Sequence, residues 1–309
     1  MHEMRCTRRR FLQRAAAVAA LPAARGDAAW LQAPSPRMHT RPIPATGEAL
    51  PIVGVGTWLN FDVAPGSDDY RRLPGVLDAL FAAGGTVIDS SPMYRRAERT
   101  TGELLAARSP RPPAFLATKV WTRGRAAGIA QMDESFRLLQ TARIDLMQVH
   151  NLLDWRTHLA TLRAWKAEGR IRYLGITHYT SSAYDQVEAV LAAEPLDFLQ
   201  INYALDDRGA ERRLLPLARD RGVAVLVNMP FGGGGLLGRL RDRPLPGWAA
   251  EAGAVSWAQL ALRFVLGHPA VTCVIPGTGN PRYMAENAAA GAARPLTDAE
   301  RRDLVTAAG

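Results

Sequence analysis

Between residues 52 and 275, short apolar runs alternate with longer segments whose apolar positions recur every three or four residues. The runs at 52–56, 86–90, 115–119, 145–150, 173–177, 198–202, 223–228 and 272–275 are apolar almost throughout, the mark of strands buried on both faces. The segments near 68–83, 97–107, 128–140, 155–168, 181–193, 210–220 and 256–267 carry the helical period. Eight strands with a helix in each gap predict a parallel sheet, and eight such units in one domain favour a closed (β/α)8 TIM barrel. An open doubly wound sheet would begin with G-x-G-x-x-G, whereas Val53-Gly54-Val55-Gly56 stops at G-x-G. Ahead of the first run, 41–44 and 49–52 flank Ala45-Thr46-Gly47-Glu48 and predict a short N-terminal β-hairpin.

Composition agrees with one soluble domain: 309 residues, 48% hydrophobic and 22% charged. A chain of this size buries a core large enough to need no disulfide or metal staple. Of the two cysteines, Cys6 lies in the N-terminal segment, and Cys273 sits in an apolar run as a small core residue. The net charge of +9 is concentrated at the start: residues 1–28 hold six arginines against Glu3 and Asp27, which leaves +5 for the rest. That remainder forms no basic block, so nucleic acid is not expected as a partner. No later apolar run is long enough for a stable membrane span.

In a parallel barrel, polar residues at the carboxyl ends of the strands face one shared opening. Here those ends carry Asp89 with Tyr94 just beyond, then Lys119, His150, Thr177-His178, and Gln200 with Asn202. Lys119 is the most informative, because the chain holds only two lysines, at 119 and 166, against 36 arginines. Such a bias keeps a lysine where a compact ammonium is needed and a guanidinium will not serve. At the end of Phe115-Leu116-Ala117-Thr118 it needs an anionic partner, which Asp89 on the adjacent strand supplies. An ammonium beside the Tyr94 phenol is expected to lower its pKa and make it a better acid–base group. His150 can hydrogen-bond and orient a carbonyl oxygen. Trp58, Trp121, Tyr94 and His150 are the expected substrate-pocket residues. His158 and His268 read as surface helix positions, and Met93 and Met147 as core.

In order and spacing, these residues resemble the aldo/keto reductase family. The matching text is Gly56-Thr57-Trp58, Asp89-Ser90-Ser91-x-x-Tyr94-x3-Glu98-x3-Gly102, Ala117-Thr118-Lys119, Asp145-Leu146-x-x-Val149-His150, Leu174-Gly175-Ile176-Thr177, and Ile275-Pro276-Gly277-Thr278 with Glu286-Asn287. The likeness covers about residues 41–300. It implies hydride transfer between NADP(H), or alternatively NAD(H), and a small carbonyl or alcohol, with Asp89, Tyr94, Lys119 and His150 as catalytic residues and no metal. Tyr94 would be the proton donor. It further implies a cofactor site built from Gly56, Thr57, Thr177, His178, Gln200, Asn228, Phe231, Gly232, Gly233, Pro276, Gly277, Thr278, Arg282, Glu286 and Asn287. The chain departs from the family where Thr177-His178 replaces Ser-Asn, where Asn228 stands for a stacking aromatic, and where Gly277 and Tyr283 replace the basic residues that usually hold a 2′-phosphate. No long substrate loop follows the last helical pattern, so an open substrate site is expected.

The first 28 residues read as a leader. Thr7-Arg8-Arg9-Arg10-Phe11-Leu12-Gln13 precedes an apolar stretch from Ala15 to Leu21, then small residues near Pro22-Ala23-Ala24. The twin arginine followed by Phe-Leu resembles the twin-arginine (Tat) export signal. That likeness implies the Tat machinery as a partner, folding in the cytoplasm and a periplasmic or exported location. Residues 29–40 read as a Pro-rich spacer and 41–309 as the barrel. Two other functions stay open at this point: a non-catalytic nucleotide sensor on the same barrel, and a metal-dependent hydrolase using Asp89, His150 and His178.

Overall fold

The computed structural model describes residues 37–309; the leader and most of the spacer lie outside the described residues. The elements in chain order are β1 (Thr40–Pro42), β2 (Ala49–Pro51), β3 (Val55–Gly56), α1 (Trp58–Phe61), α2 (Asp68–Ala82), β4 (Val87–Asp89), α3 (Ala97–Ala106), β5 (Phe115–Val120), α4 (Arg125–Leu139), β6 (Ile144–His150), α5 (Trp155–Ala167), β7 (Ile171–Thr177), α6 (Tyr184–Ala193), β8 (Phe198–Asn202), α7 (Leu214–Asp220), β9 (Ala224–Asn228), α8 (Gly235–Leu240), α9 (Trp257–Leu266), β10 (Val271–Val274), α10 (Pro281–Ala292) and α11 (Asp298–Ala308). Strands β3 to β10 lie side by side in chain order, all parallel. The two edges meet where Gly54 N donates to Val274 O and Val274 N to Ile52 O, both at 2.9 Å, which closes the sheet into a (β/α)8 barrel. The seam shortens the first predicted strand as a ladder to β4, because residues 52–54 direct backbone groups across it. A Cβ at Gly54 would lie 2.7 Å from Val87 Cβ on β4, so the chain beside the seam approaches β4 this closely only as glycine.

The strands sort their side chains with period two. Ile88, Leu116, Met147, Val149, Leu174, Ile176, Leu199, Ile201, Val225 and Val227 face the helices in the larger apolar cluster. Val87, Phe115, Ala117, Leu146, Tyr173, Phe198, Ala224, Leu226 and Cys273 face inward and form a second cluster. The predicted hairpin is present as the antiparallel β1–β2 pair, and its Ile43 and Leu50 enter this inner cluster from below. Arg41 fixes it by donating to the carbonyls of Leu266, His268 and Val271. The Tyr173 hydroxyl adds a bond to Glu48 at 2.7 Å.

All seven predicted helices are found. Helix α2 starts where Ser67 Oγ accepts from Tyr70 N at 3.1 Å, with Asp68 and Asp69 in its first turn. The short α1 and α8 fall outside the predicted segments, as do α10 and α11. The latter two follow the eighth strand, outside the alternation that marks the other helices, although both start on readable signals: Asn280-Pro281, and the Thr297/Glu300 capping box. Met147 is core as expected. His158 is not a surface residue: it is fully buried, its Nε2 lies 2.7 Å from Thr122 O, and its ring fills the space over Gly128. His268 is half-buried against Tyr203.

Ile43→Ala should open a void in the closed lower end, where nothing can collapse into it. The expected loss is about 2–4 kcal/mol of stability, read from chemical denaturation midpoints at unchanged slope.

Candidate active site

Followed upward, the inward register changes from apolar to polar. Phe115 and Ala117 lead to Lys119; Leu146 leads to Gln148 and His150; Tyr173 and Gly175 lead to Thr177. Phe198 leads to Gln200, Ala224 and Leu226 to Asn228, and Val87 to Asp89. The same pleat that fills the lower barrel therefore gathers these polar side chains at its carboxyl end. Gly175 leaves room for its neighbour, since a Cβ there would come within 2.5 Å of Phe198 O.

Asp89 organises the layer. Its Oδ2 accepts from Lys119 Nζ at 2.7 Å, and its Oδ1 accepts from Gln200 Nε2 at 2.8 Å and Gln148 Nε2 at 3.3 Å. Lys119 is 1% exposed and donates again to Ser90 O at 2.7 Å. Gln200 Oε1 in turn accepts from Thr177 Oγ1 at 3.0 Å. Tyr94 is carried by the turn between β4 and α3, and the Lys119 ammonium lies 5.1 Å from its ring centroid. Thr57 ties the first two strand ends together, its N donating to Asp89 O and its Oγ1 to Ser90 Oγ, both at 2.9 Å. Behind β5, Thr118 Oγ1 donates to the buried Glu98 at 2.6 Å and anchors α3 to the strand that carries Lys119.

The electrostatics follow from burial. Desolvation works against the Lys119 ammonium, but the charges of Asp89 and Tyr94 outweigh it and hold the amine above the ordinary lysine range. Desolvation of the Tyr94 phenol outweighs the pull of Lys119, so its pKa lies above the usual value. This corrects the expectation of a lowered phenol: Lys119 limits the rise without reversing it. His150 is pushed down to about 3 by burial first, then by the charges of Lys119 and His178. It is a neutral imidazole at any physiological pH.

Tyr94, His150, Trp58 and Trp121 line one cavity of about 620 Å³ with Asp89 at its base. Lys119 sits beneath the surface of that cavity, as a group acting through Tyr94 should. Of the expected cofactor residues, Gly56, Thr57, Thr177, Gln200, Asn228, Phe231, Gly233 and Gly277 also line it. Thr278 lines a neighbouring cavity of about 370 Å³. His178, Gly232, Pro276, Arg282, Glu286 and Asn287 line neither. The His178 ring is engaged locally, its Nδ1 accepting from Tyr179 N at 3.0 Å and Thr180 N at 3.3 Å. Glu286 accepts from Ser256 Oγ, and Arg282 stands exposed in the first turn of α10. Gly232, Gly233 and Gly234 have φ of 57°, 67° and 96°, so the glycine run is required by three successive left-handed residues.

Sequence reasoning missed Gln148, Asn60, Asn151, Tyr179 and Met229, and placed Met93 in the core, whereas it is exposed at the cavity mouth. Gln148 was legible from the period of two that runs through Leu146 and His150. Asn151 was not: it faces the cavity because its backbone turns left-handed after β6, with φ of 52°. No group of three or more His, Cys, Asp or Glu side chains arranged to hold a metal occurs among the described residues. Asp89 is taken by three donors and His178 by its own turn, so the set expected of a metal hydrolase does not converge.

Comparison with known proteins agrees with this geometry. The chain is 29% identical over 265 residues to methylglyoxal reductase YeaE of Escherichia coli, covering 82% of this chain and 89% of the relative. It is 27% identical over 313 residues to the NADH-specific methylglyoxal reductase of the same organism, covering 82% and 93%. An aldo/keto reductase from Klebsiella pneumoniae, solved in complex with NADP and acetate, superposes with a TM-score of 0.73 at 27% identity, covering 87% of this chain and 94% of that one. The aldo/keto reductase family model matches residues 52–307, from the barrel's first strand into its last helix, and the chain belongs to that family.

Proposed function

We propose that the protein reduces a neutral aldehyde or ketone with NADP(H) as preferred cofactor and NAD(H) as the alternative, Tyr94 acting as general acid. The observation that carries this reading is the Lys119–Asp89 pair buried under the Tyr94 phenol, beside a neutral His150, at the base of one cavity. The fit to a dinucleotide rests on chain features. The cavity is within the size range of small-molecule sites and adjoins a second through Asn60. Asn151 Oδ1, Asn228 Oδ1 and His150 Nδ1 are buried without a hydrogen-bond partner, as acceptors or donors held for a ligand are. Gly56 and Gly277 keep backbone bare where the two cavities approach. The Klebsiella relative's bound NADP and the NADH-specific relative support the two cofactor choices in that order.

A bound nicotinamide would supply hydride. Gln200 and Thr177, tied to each other and to Asp89, would hold its carboxamide; Phe231, Gly233 and Thr278 would follow the phosphates and adenosine. Tyr94 Oη delivers a proton to the carbonyl oxygen, and Lys119 stabilises the phenolate that remains. Neutral His150 offers a ring hydrogen bond to the same oxygen and orients it. Trp58, Met93, Trp121, Tyr179 and Met229 make the mouth apolar, and among the described residues no lysine or arginine lines the cavity, which favours uncharged substrates. The nucleotide-sensor reading keeps the same site and differs only in turnover; single-turnover oxidation of bound NADPH by methylglyoxal separates the two. The Tat-type text at residues 7–21 supports export of the folded protein to the periplasm.

Tyr94→Phe should cut the single-turnover rate by about 10²–10⁴, the worth of a positioned acid, while NADPH affinity stays near the wild-type value. Near-normal turnover would sink the assignment. The reduction rate should be flat from about pH 5.5 to 8.5, since His150 is already neutral throughout and Tyr94 still protonated. A step centred near pH 6.5 would show that a histidine with an ordinary pKa takes part.

A further inference from the structure

The smaller cavity shares Asn60 with the main one and is otherwise built chiefly from two elements. Thr278, Gly279, Asn280 and Tyr283 come from the β10–α10 junction, while Asp69 and Arg72 come from α2. The two helices are locked together at this point: a Cβ at Gly75 would stand 2.9 Å from Pro281 Cγ, so the glycine lets α2 seat against the start of α10. Arg72, one turn earlier on α2, is thereby held at the cavity wall.

Among the described residues lining this cavity, Arg72 is the lone cation. The junction itself supplies none: Gly277 and Gly279 carry no side chain, Tyr283 carries no charge, and Arg282 lines neither cavity. We propose that Arg72 is the residue that selects the phosphorylated nicotinamide nucleotide, by pairing with the 2′-phosphate of its adenosine in the smaller cavity. The proposal rests on the reductase reading and adds to it a determinant on α2, outside the junction where the family resemblance would put one.

Two observations make Arg72 available. Its present partner is Asp69, three residues earlier on the same helix, and both side chains are more than half exposed, so the pair holds it weakly. A 2′-phosphate offers a dianion with several oxygens, which the guanidinium fork can bind through two bonds; an isolated carboxylate on the same helix competes poorly. Asp69 then has a defined effect: its carboxylate repels the phosphate and can accept a hydrogen bond from a free 2′-hydroxyl. The two residues therefore act in opposite directions on the choice between the two nucleotides.

The test is titration of the full-length protein, Arg72→Ala and Asp69→Asn with NADPH and NADH separately, followed by tryptophan fluorescence. Both side chains are exposed, so neither change endangers the fold. Arg72→Ala should weaken NADPH by about tenfold or more, the effect of a lost charge-assisted bond, and leave NADH within about twofold. Asp69→Asn should tighten NADPH. Raising the salt should weaken NADPH more than NADH in the wild type, and the difference should vanish in Arg72→Ala. If the wild type binds both nucleotides and Arg72→Ala leaves their ratio unchanged, the proposal falls and the reductase reading stands. The same holds if the wild type binds NADH alone. If it binds neither, the reductase reading fails and takes the proposal with it.

Discussion

A buried ammonium is the constraint around which the upper barrel is arranged. Removed from water, the Lys119 charge is tolerable only with a full set of acceptors, and it finds Asp89 and the Ser90 carbonyl. The carboxylate needs donors of its own, and these come from β8 and β6 as Gln200 and Gln148. One charge thus ties together four of the eight strand ends, and breaking it at any point leaves a neighbour uncompensated. Tyr94 and His150 take part of their character from this arrangement: one feels a cation that limits the effect of burial on its phenol, the other a cation that adds to burial in keeping its ring neutral.

The pleat explains why the pair sits at the height it does. Strands β4 to β9 begin with inward side chains that fill space and end with inward side chains that bond, with no change in register between them. The lower layers are as dry as any core, so the polar layer rests on a floor that does not yield. Stiffness of this kind is what places a phenol and an imidazole within reach of one small group.

Much of this is legible in the amino-acid sequence. Eight strands, the helices between them, the hairpin and the four central polar residues follow from apolar runs, helical period and strand-end chemistry. What is not legible depends on local backbone or on contacts between distant segments. His158 looks like a surface residue because its helix pattern does not show that Gly128, thirty residues earlier, leaves a hole for its ring. Met93 and Asn151 turn toward the opening because of turns whose geometry no periodicity reports. Helices α10 and α11 escape prediction because they follow the eighth strand, outside the strand–helix alternation that locates the others, even with clear caps. The direction of the Tyr94 shift is misjudged from sequence because a charge partner can be inferred there, whereas the depth of burial that opposes it cannot.

The β1–β2 hairpin carries a consequence for traffic. With Ile43 and Leu50 seated in the lower end and Arg41 bonded across it, the barrel is a cup and not a tube. Whatever reaches the Asp89 layer arrives and departs through the same rim. When two molecules share such a vessel, the deeper one cannot leave while the shallower one stays, so depth alone imposes a queue: first in, last out.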